Sequence, residues 1–258
     1  MSTLNGAAET AGRPVLVTDV LRERIVEGEL PPGTPLRDVA LSAELGVSRN
    51  TLREALRTLH DEGLVVQRLH KGTAVKTLSA EDVTDIYIAR RTLELSAVDA
   101  SPLAPEPLLD AMEAKVAAAE LAVDVEAWDK VGTASLRFHQ SLVALLGSAR
   151  LDGFFRVTIA QLRLAFAVMA DQGAFQAPWV ARDREICDLI RGGRRMDATA
   201  ALRLYLDDSE RTVLDAVRAN SRTTNSRSAT KTAATKATAA TKATAATTAV
   251  TTAAKGKR

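Results

Sequence analysis

Arginines at positions 49, 53 and 57 recur every fourth residue in LGVSRNTLREALRTL, residues 45–59, and guanidinium groups at that spacing share one face of a helix. A guanidinium is a planar fork of donors that fits two acceptors at once, whether phosphate oxygens or the O6/N7 edge of guanine. Leu52, Leu56 and Leu59 fall at i, i+4 and i+7 and form a separate apolar seam on the same helix. One face packs and the other reaches out. That is the pattern of a helix that docks by its leucines and enters a DNA groove with its first turn, where Ser48, Arg49, Asn50 and Thr51 stand. Arg53 lies one turn deeper, and Arg57 suits a phosphate. Taken alone, the same charges serve equally well as a solvated face, partly paired with Glu54 or Glu62.

The elements around this helix decide between those readings. Val17, Val20, Leu21 and Ile25 give a helical stripe that stops at EGELPPGTPL, where consecutive prolines and a glycine forbid continuation. A second short helix covers roughly Arg37 to Glu44 and ends at Gly46. Ser48 then caps the third, its side-chain oxygen accepting an orphan N–H of the first turn. After DEG the pattern changes to LVVQRLHKGTAVKTL, two β-branched runs around LHKG that read as a hairpin with His70, Lys71 and Gly72 at its tip. Small basic residues there suit the adjacent minor groove. Helix, helix, turn, helix, hairpin is the order of a winged helix-turn-helix. Residues 15–77 hold nine basic and nine acidic side chains, so recognition must come from local placement of charge.

The chain has 258 residues, 46% of them hydrophobic and only 3% aromatic, which allows large packed cores and favours helices over sheets. A single cysteine, Cys187, permits neither an internal disulfide nor a thiolate zinc cage. No uninterrupted apolar run of membrane-spanning length occurs and the first residues lack a secretory pattern, so a cytoplasmic, nucleoid-associated protein without membrane contact is expected. From residue 221 onward there are eight Lys/Arg and no Asp or Glu, leaving 26 basic against 32 acidic residues elsewhere. That tail is nearly all Ser, Thr, Ala and Lys, with AATKAT at 233–238 and again at 239–244, and buries too little to offset chain entropy. The expected organisation is a disordered 1–14, a winged helix-turn-helix over 15–78, an all-α bundle over 79–220 and a disordered basic tail over 221–258. The fold class is mainly α.

The stretch LRDVALSAELGVSRNTLREALRTLHDEGLVVQRLHKGTAV closely resembles the DNA-binding domain of GntR-family transcriptional regulators, including its VSR, REAL and EGL elements and the wing glycine. The resemblance implies contacts to double-stranded DNA from Ser48, Arg49, Asn50, Thr51 and Arg53 and from the wing residues His70, Lys71 and Gly72, with Arg37 at the start of the second helix joining them. Asn50-Thr51 replaces a commoner Thr-Pro or Thr-Thr pair, so an operator sequence does not carry over.

Stripes and breakers divide the bundle into six helices, near 80–100, 106–121, 124–146, 148–170, 178–192 and 196–219. Arg90 interrupts the apolar series Val83, Ile86, Leu93, Ala97 and so faces inward, where it either grips a carboxylate ligand or pairs with Glu94 one turn on. Trp128, Phe138, Phe155, Phe166 and Trp179 fit a core or interface. EDVTDIYIARRTLEL, ASLRFHQSLVALLGSARL and REICDLIRGGRRMDATAALRLYL resemble the all-helical domain of the FadR-type, or FCD, branch. Many such domains hold a divalent metal, and the resemblance places His139 at the first histidine position, Ser135 at the aspartate position, and Asp183 and Tyr205 at the second and third histidine positions. His139 and Asp183 are donors for Zn or Ni, whereas a hydroxyl and a neutral phenol are poor substitutes. A metal-free polar pocket of Arg90, Ser135, His139, Asp183 and Tyr205 is therefore expected, unless those side chains simply satisfy one another.

Together these features point to a homodimeric repressor that binds a palindromic operator and answers to a small-molecule effector, a carboxylic acid, in the bundle. The alternative is an architectural, nucleoid-type protein that uses the tail for sequence-independent binding. Nothing calls for an enzyme: there is no phosphate-cradling Gly-rich loop and no GxSxG elbow.

Overall fold

The computed structural model describes residues 4–69, 72–167, 169 and 171–222. His70 and Lys71, expected at the wing tip, and the expected basic tail from residue 223 lie outside the described residues. The chain divides into two compact units, Met1–Val217 and Arg218–Arg258. Of the second, residues 218–222 are described, and they are helical.

The first unit opens with α1 (Leu4–Val26), whose Val17, Leu21 and Ile25 are buried at successive turns. Val20, expected in that stripe, lies on its rim and is 43% exposed. The helix begins well before the expected boundary at residue 15 and carries Pro14 inside it. Pro14 removes one backbone donor, and the alanine-rich segment before it is otherwise a good helix former. Next come β1 (Pro35–Leu36), α2 (Asp38–Glu44), α3 (Arg49–Asp61), β2 (Val65–Arg68) and β3 (Gly72–Val75). β2 and β3 form the expected hairpin, with Val65 opposite Val75 and Arg68 opposite Gly72. β1 adds antiparallel to the other edge of β3, giving the order β1-β3-β2. A two-residue strand is too short to leave a period-2 signature, so this third strand is not visible in the sequence.

The bundle follows as α4 (Ala80–Ala100), α5 (Glu106–Asp124), α6 (Trp128–Ala144), α7 (Ala149–Phe166) and α8 (Gln172–Arg191), then α9, which begins at residue 195. α4 starts with a reciprocal capping box between Ser79 and Asp82. α8 starts six residues earlier than the sequence suggests. Asp171 caps it by accepting from the Ala174 N–H at 2.9 Å, and Pro178 is tolerated within it. α6 is central, packing on α4, α5, α7 and α8, while α1 packs on both α3 and α7. One continuous apolar core runs from Val17 in the head to Val217 in the bundle. Cys187 is fully buried on α8, and burial pushes its thiol up to about 11. No helix among the described residues is long and apolar enough to cross a membrane.

Candidate DNA interface and buried polar cluster

The candidate DNA-facing surface is built on α3. Leu52 and Leu59 are fully buried and Leu56 nearly so, which fixes the helix against its neighbours. Arg49, Asn50, Arg53 and Arg57 are exposed on the opposite side. Ser48 Oγ accepts from the Thr51 N–H at 3.1 Å and also bonds Thr51 Oγ1 at 2.8 Å, so the first turn is rigid where it would meet bases. Arg53 Nε donates to Asp38 Oδ2 at 2.9 Å across to α2. Glu62, an expected partner for these arginines, instead takes a two-pronged grip from Arg22 on α1, at 2.6 and 3.0 Å. Arg49 and Arg57 form no ion pair among the described residues, so their charge is available to phosphate or base edges. A cleft of about 660 Å³ between α3 and the sheet gathers Arg37, Arg53, Arg57, His60, Gln67 and Gly72. Arg37, Arg53 and Gly72 of the expected set are thus brought together, with Ser48 to Thr51 at the tip of the same helix. Ser48→Ala should cost about 1 kcal/mol of stability through loss of the cap, read by thermal denaturation, and weaken DNA binding by loosening that turn.

Inside the bundle a second cluster is almost entirely shut off from solvent. Arg90 on α4 is 2% exposed and Glu94 is fully buried; Arg90 Nε donates to Glu94 Oε1 at 2.6 Å. Glu94 Oε2 accepts from His139 Nδ1 on α6 at 2.7 Å. On the far side of the ring, His139 Nε2 stands 3.4 Å from Asp183 Oδ1 on α8. Ser135 Oγ donates to Asp183 Oδ2 at 2.7 Å. Tyr87 and Ser209 share a 2.5 Å bond, and the Arg90 guanidinium lies over the rings of Tyr87 and Tyr205, at 5.0 and 5.9 Å.

The charges order themselves. Burial alone would lower the pKa of His139, but Glu94 and Asp183 outweigh it, so the imidazole is held above its ordinary value. Burial would likewise raise Glu94, yet Arg90 and His139 beside it hold its carboxyl below the usual range. Burial and the neighbouring Asp183 push the Tyr205 phenol far up, so it stays neutral. Three buried polar atoms of the cluster make no hydrogen bond among the described residues, Arg90 Nη2, His139 Nε2 and Asp183 Oδ1, the last two facing each other at 3.4 Å. With Asp183 behind the His139 ring, Arg90 and His139 line a cavity of only about 10 Å³, closed by Leu162, Phe166, Phe175, Gln176 and Trp179. That is roughly the room of one water molecule.

The divalent metal implied by the family resemblance does not fit this donor set. Of the four ligand positions only His139 and Asp183 supply an imidazole and a carboxylate; the other two are the Ser135 hydroxyl, which donates to Asp183 Oδ2, and the Tyr205 phenol, both poor ligands. No group of three or more His, Cys, Asp or Glu able to hold a metal occurs among the described residues. Arg90, Ser135, His139, Asp183 and Tyr205 nevertheless come together as one site. Of the two alternatives for Arg90, the pair with Glu94 is the one present, and Nη2 makes no hydrogen bond among the described residues. Sequence reasoning misses Glu94 as the bridge between Arg90 and His139, although its spacing to Arg90 is visible. Phe166 and Trp179 belong to the apolar core, as expected, and also line the cavity. Their helical spacing carries no signal that separates the two roles.

Residues 16–75 match the family described as bacterial regulatory proteins, gntR family, and residues 85–208 match the FCD domain. A transcriptional regulator from an unstable DNA locus of Streptomyces ambofaciens is 30% identical over 74% of this chain and 82% of its own length. A probable D-xylose utilization operon repressor of Paenarthrobacter nicotinovorans is 38% identical over 30% of this chain and 34% of its own. The crystal structure of a GntR-type regulator from Rhodococcus sp. RHA1 superposes with a TM-score of 0.74 at 35% identity, covering 79% of this chain and 98% of that one. With its DNA-reading head and FCD bundle in that order, the chain belongs to the GntR family of bacterial transcriptional regulators.

Proposed function

We propose that this regulator is a homodimeric repressor whose operator affinity is set by a small carboxylic acid entering the buried cluster of the bundle. One recognition helix reads few bases, and a two-fold pair of heads reads a palindrome with half-sites about one helical turn, roughly 34 Å, apart. The observation that carries the effector reading is the set of buried atoms left without a hydrogen bond, Arg90 Nη2 and the facing pair His139 Nε2 and Asp183 Oδ1. Arg90 Nη2 is a cationic donor suited to one oxygen of a carboxylate, His139 Nε2 is a ring nitrogen that can donate to the other, and Asp183 Oδ1 is an acceptor for a hydroxyl or amino group next to it. A hydroxy acid or amino acid meets all three demands. The cavity must enlarge to admit it, so binding necessarily repacks Phe166, Phe175 and Trp179.

The test is a melting-temperature series on the full chain with propionate, lactate, succinate and malate. Lactate and malate are expected to stabilise it more than their unhydroxylated counterparts. Arg90→Lys keeps a cation for Glu94 but removes the free Nη2 donor, and should abolish that stabilisation. A series in which no acid raises the melting temperature overturns the effector class, and a rise untouched by Arg90→Lys takes Arg90 out of the site.

A further inference from the structure

We propose that Gln161, Arg163 and Thr133 form a clamp by which α6 and α7 of the bundle set the position of the DNA-reading helix, and that the same helices carry the state of the cavity to it. The second half rests on the effector reading above; the first does not. Gln161 Nε2 on α7 donates to the carbonyl of Glu62 at 2.8 Å, and Glu62 is the C-cap of α3. Arg163 Nε on α7 and Thr133 Oγ1 on α6 both donate to the carbonyl of Val26, the last residue of α1, each at 3.1 Å. The last carbonyls of a helix lack intrahelical donors and carry its negative end, so each of these bonds satisfies an acceptor that the head cannot satisfy itself. The Arg22–Glu62 pair ties α1 to α3, so both gripped carbonyls move as one piece.

Two glycines make the close approach feasible. Gly28 has φ +80° and Gly63 has φ +68°. A Cβ at Gly28 would collide with the Arg163 guanidinium, and one at Gly63 would come within 2.9 Å of Gln161 Nε2. The other faces of the same helices meet the cavity. Leu162 and Phe166 line it from α7, and Ser135 and His139 from α6. Leu162 lies between Gln161 and Arg163 in sequence, so α7 cannot shift at the cavity wall without moving the two side chains that hold the head. The cavity has no spare room for a ligand of several atoms, which makes such a shift a condition of binding.

The experiment uses the full chain with spin labels at Glu54→Cys on α3 and Glu185→Cys on α8, diluted into excess unlabelled protein so that only distances within one chain are read. Gln161→Met with Thr133→Val removes two of the three donors at nearly constant shape. The label distance is expected to broaden or shift in this variant while its melting temperature stays near that of the parent. Gln140→Met, which alters α6 off the clamp, should leave the distance unchanged. An unchanged distribution in the clamp variant overturns the clamp. Should the double variant melt far lower, Gln161→Met alone, at a half-buried position, is measured in its place: a broadened or shifted distance supports the clamp and an unchanged one overturns it.

A second readout addresses transmission. With a duplex selected from a random pool by the parent chain, lactate or malate should change parental operator affinity by at least about fivefold. In the clamp variant the acid should still stabilise the protein, while operator affinity responds by less than about twofold. A full response there overturns the transmission. If neither acid stabilises the parent, the effector reading fails, and the label distance still decides the clamp.

Discussion

Arg49→Ala combined with Arg53→Ala is expected to abolish sequence-selective DNA binding while leaving the fold intact. Both side chains are exposed, so truncation opens no cavity. Arg49 has no ion pair among the described residues. The Arg53–Asp38 pair spans side chains that are 62% and 33% exposed, and a surface pair of that kind contributes little stability. Each well-placed guanidinium fork on a base edge accounts for about 1–3 kcal/mol of discrimination, so the pair together should cost roughly thirty-fold to twenty-thousand-fold in selective affinity. Fluorescence anisotropy against a selected duplex and a scrambled one measures this, and circular dichroism checks the fold. Selective affinity within about threefold of the parent in a folded double variant would refute the assignment of α3 as the reading helix.

The largest effect on stability is expected from Glu94→Leu. The substitution leaves Arg90 and His139 buried with no counter-charge on the side where both now bond the same carboxylate. Stranding a buried charge in this way typically costs about 3–5 kcal/mol, which for a chain of this size lowers the melting temperature by on the order of 10 °C. Glu94→Gln keeps the shape and one acceptor and should fall between. A Glu94→Leu protein that melts within about 2 °C of the parent would contradict the charge assignment.

The same cluster gives stability a pH dependence of definite sign. His139 is held above its ordinary 6.5, so its contribution is complete below 6.5 and is lost as pH rises through the higher folded value. Glu94 is held below its ordinary 4.5, so its contribution is complete above 4.5 and is lost as pH falls through the lower folded value. The two together place their joint maximum between about 4.5 and 6.5. Glu94→Leu should flatten that maximum.

The head is legible in the sequence because local chemistry dictates it. The leucine seam, the serine cap, the breaker EGELPPGTPL and the β-branched hairpin each act over a few residues, and each is found where its pattern falls. In the bundle, stripes and breakers mark the helices, with Pro178 misleading because one lost hydrogen bond does not end a helix that Asp171 caps. What stays hidden is long-range. Arg53 pairs with Asp38 and Arg22 with Glu62, partners fifteen and forty residues apart, where helical spacing offers only neighbours three or four residues away. The buried cluster is half visible. An inward Arg90 and an Asp183 in an apolar stripe mark polar groups that need partners, but which atoms meet, and that Glu94 joins Arg90 to His139, depends on how three helices pack.

Cys187 gives the molecule a chemical silence. With its thiol buried and raised to about 11, Cys187 holds its proton well above neutral pH and is shielded from reagents. Peroxide, disulfides and electrophiles therefore find no thiolate on the described surface. A cysteine introduced on that surface becomes an addressable handle beside a native thiol that is buried.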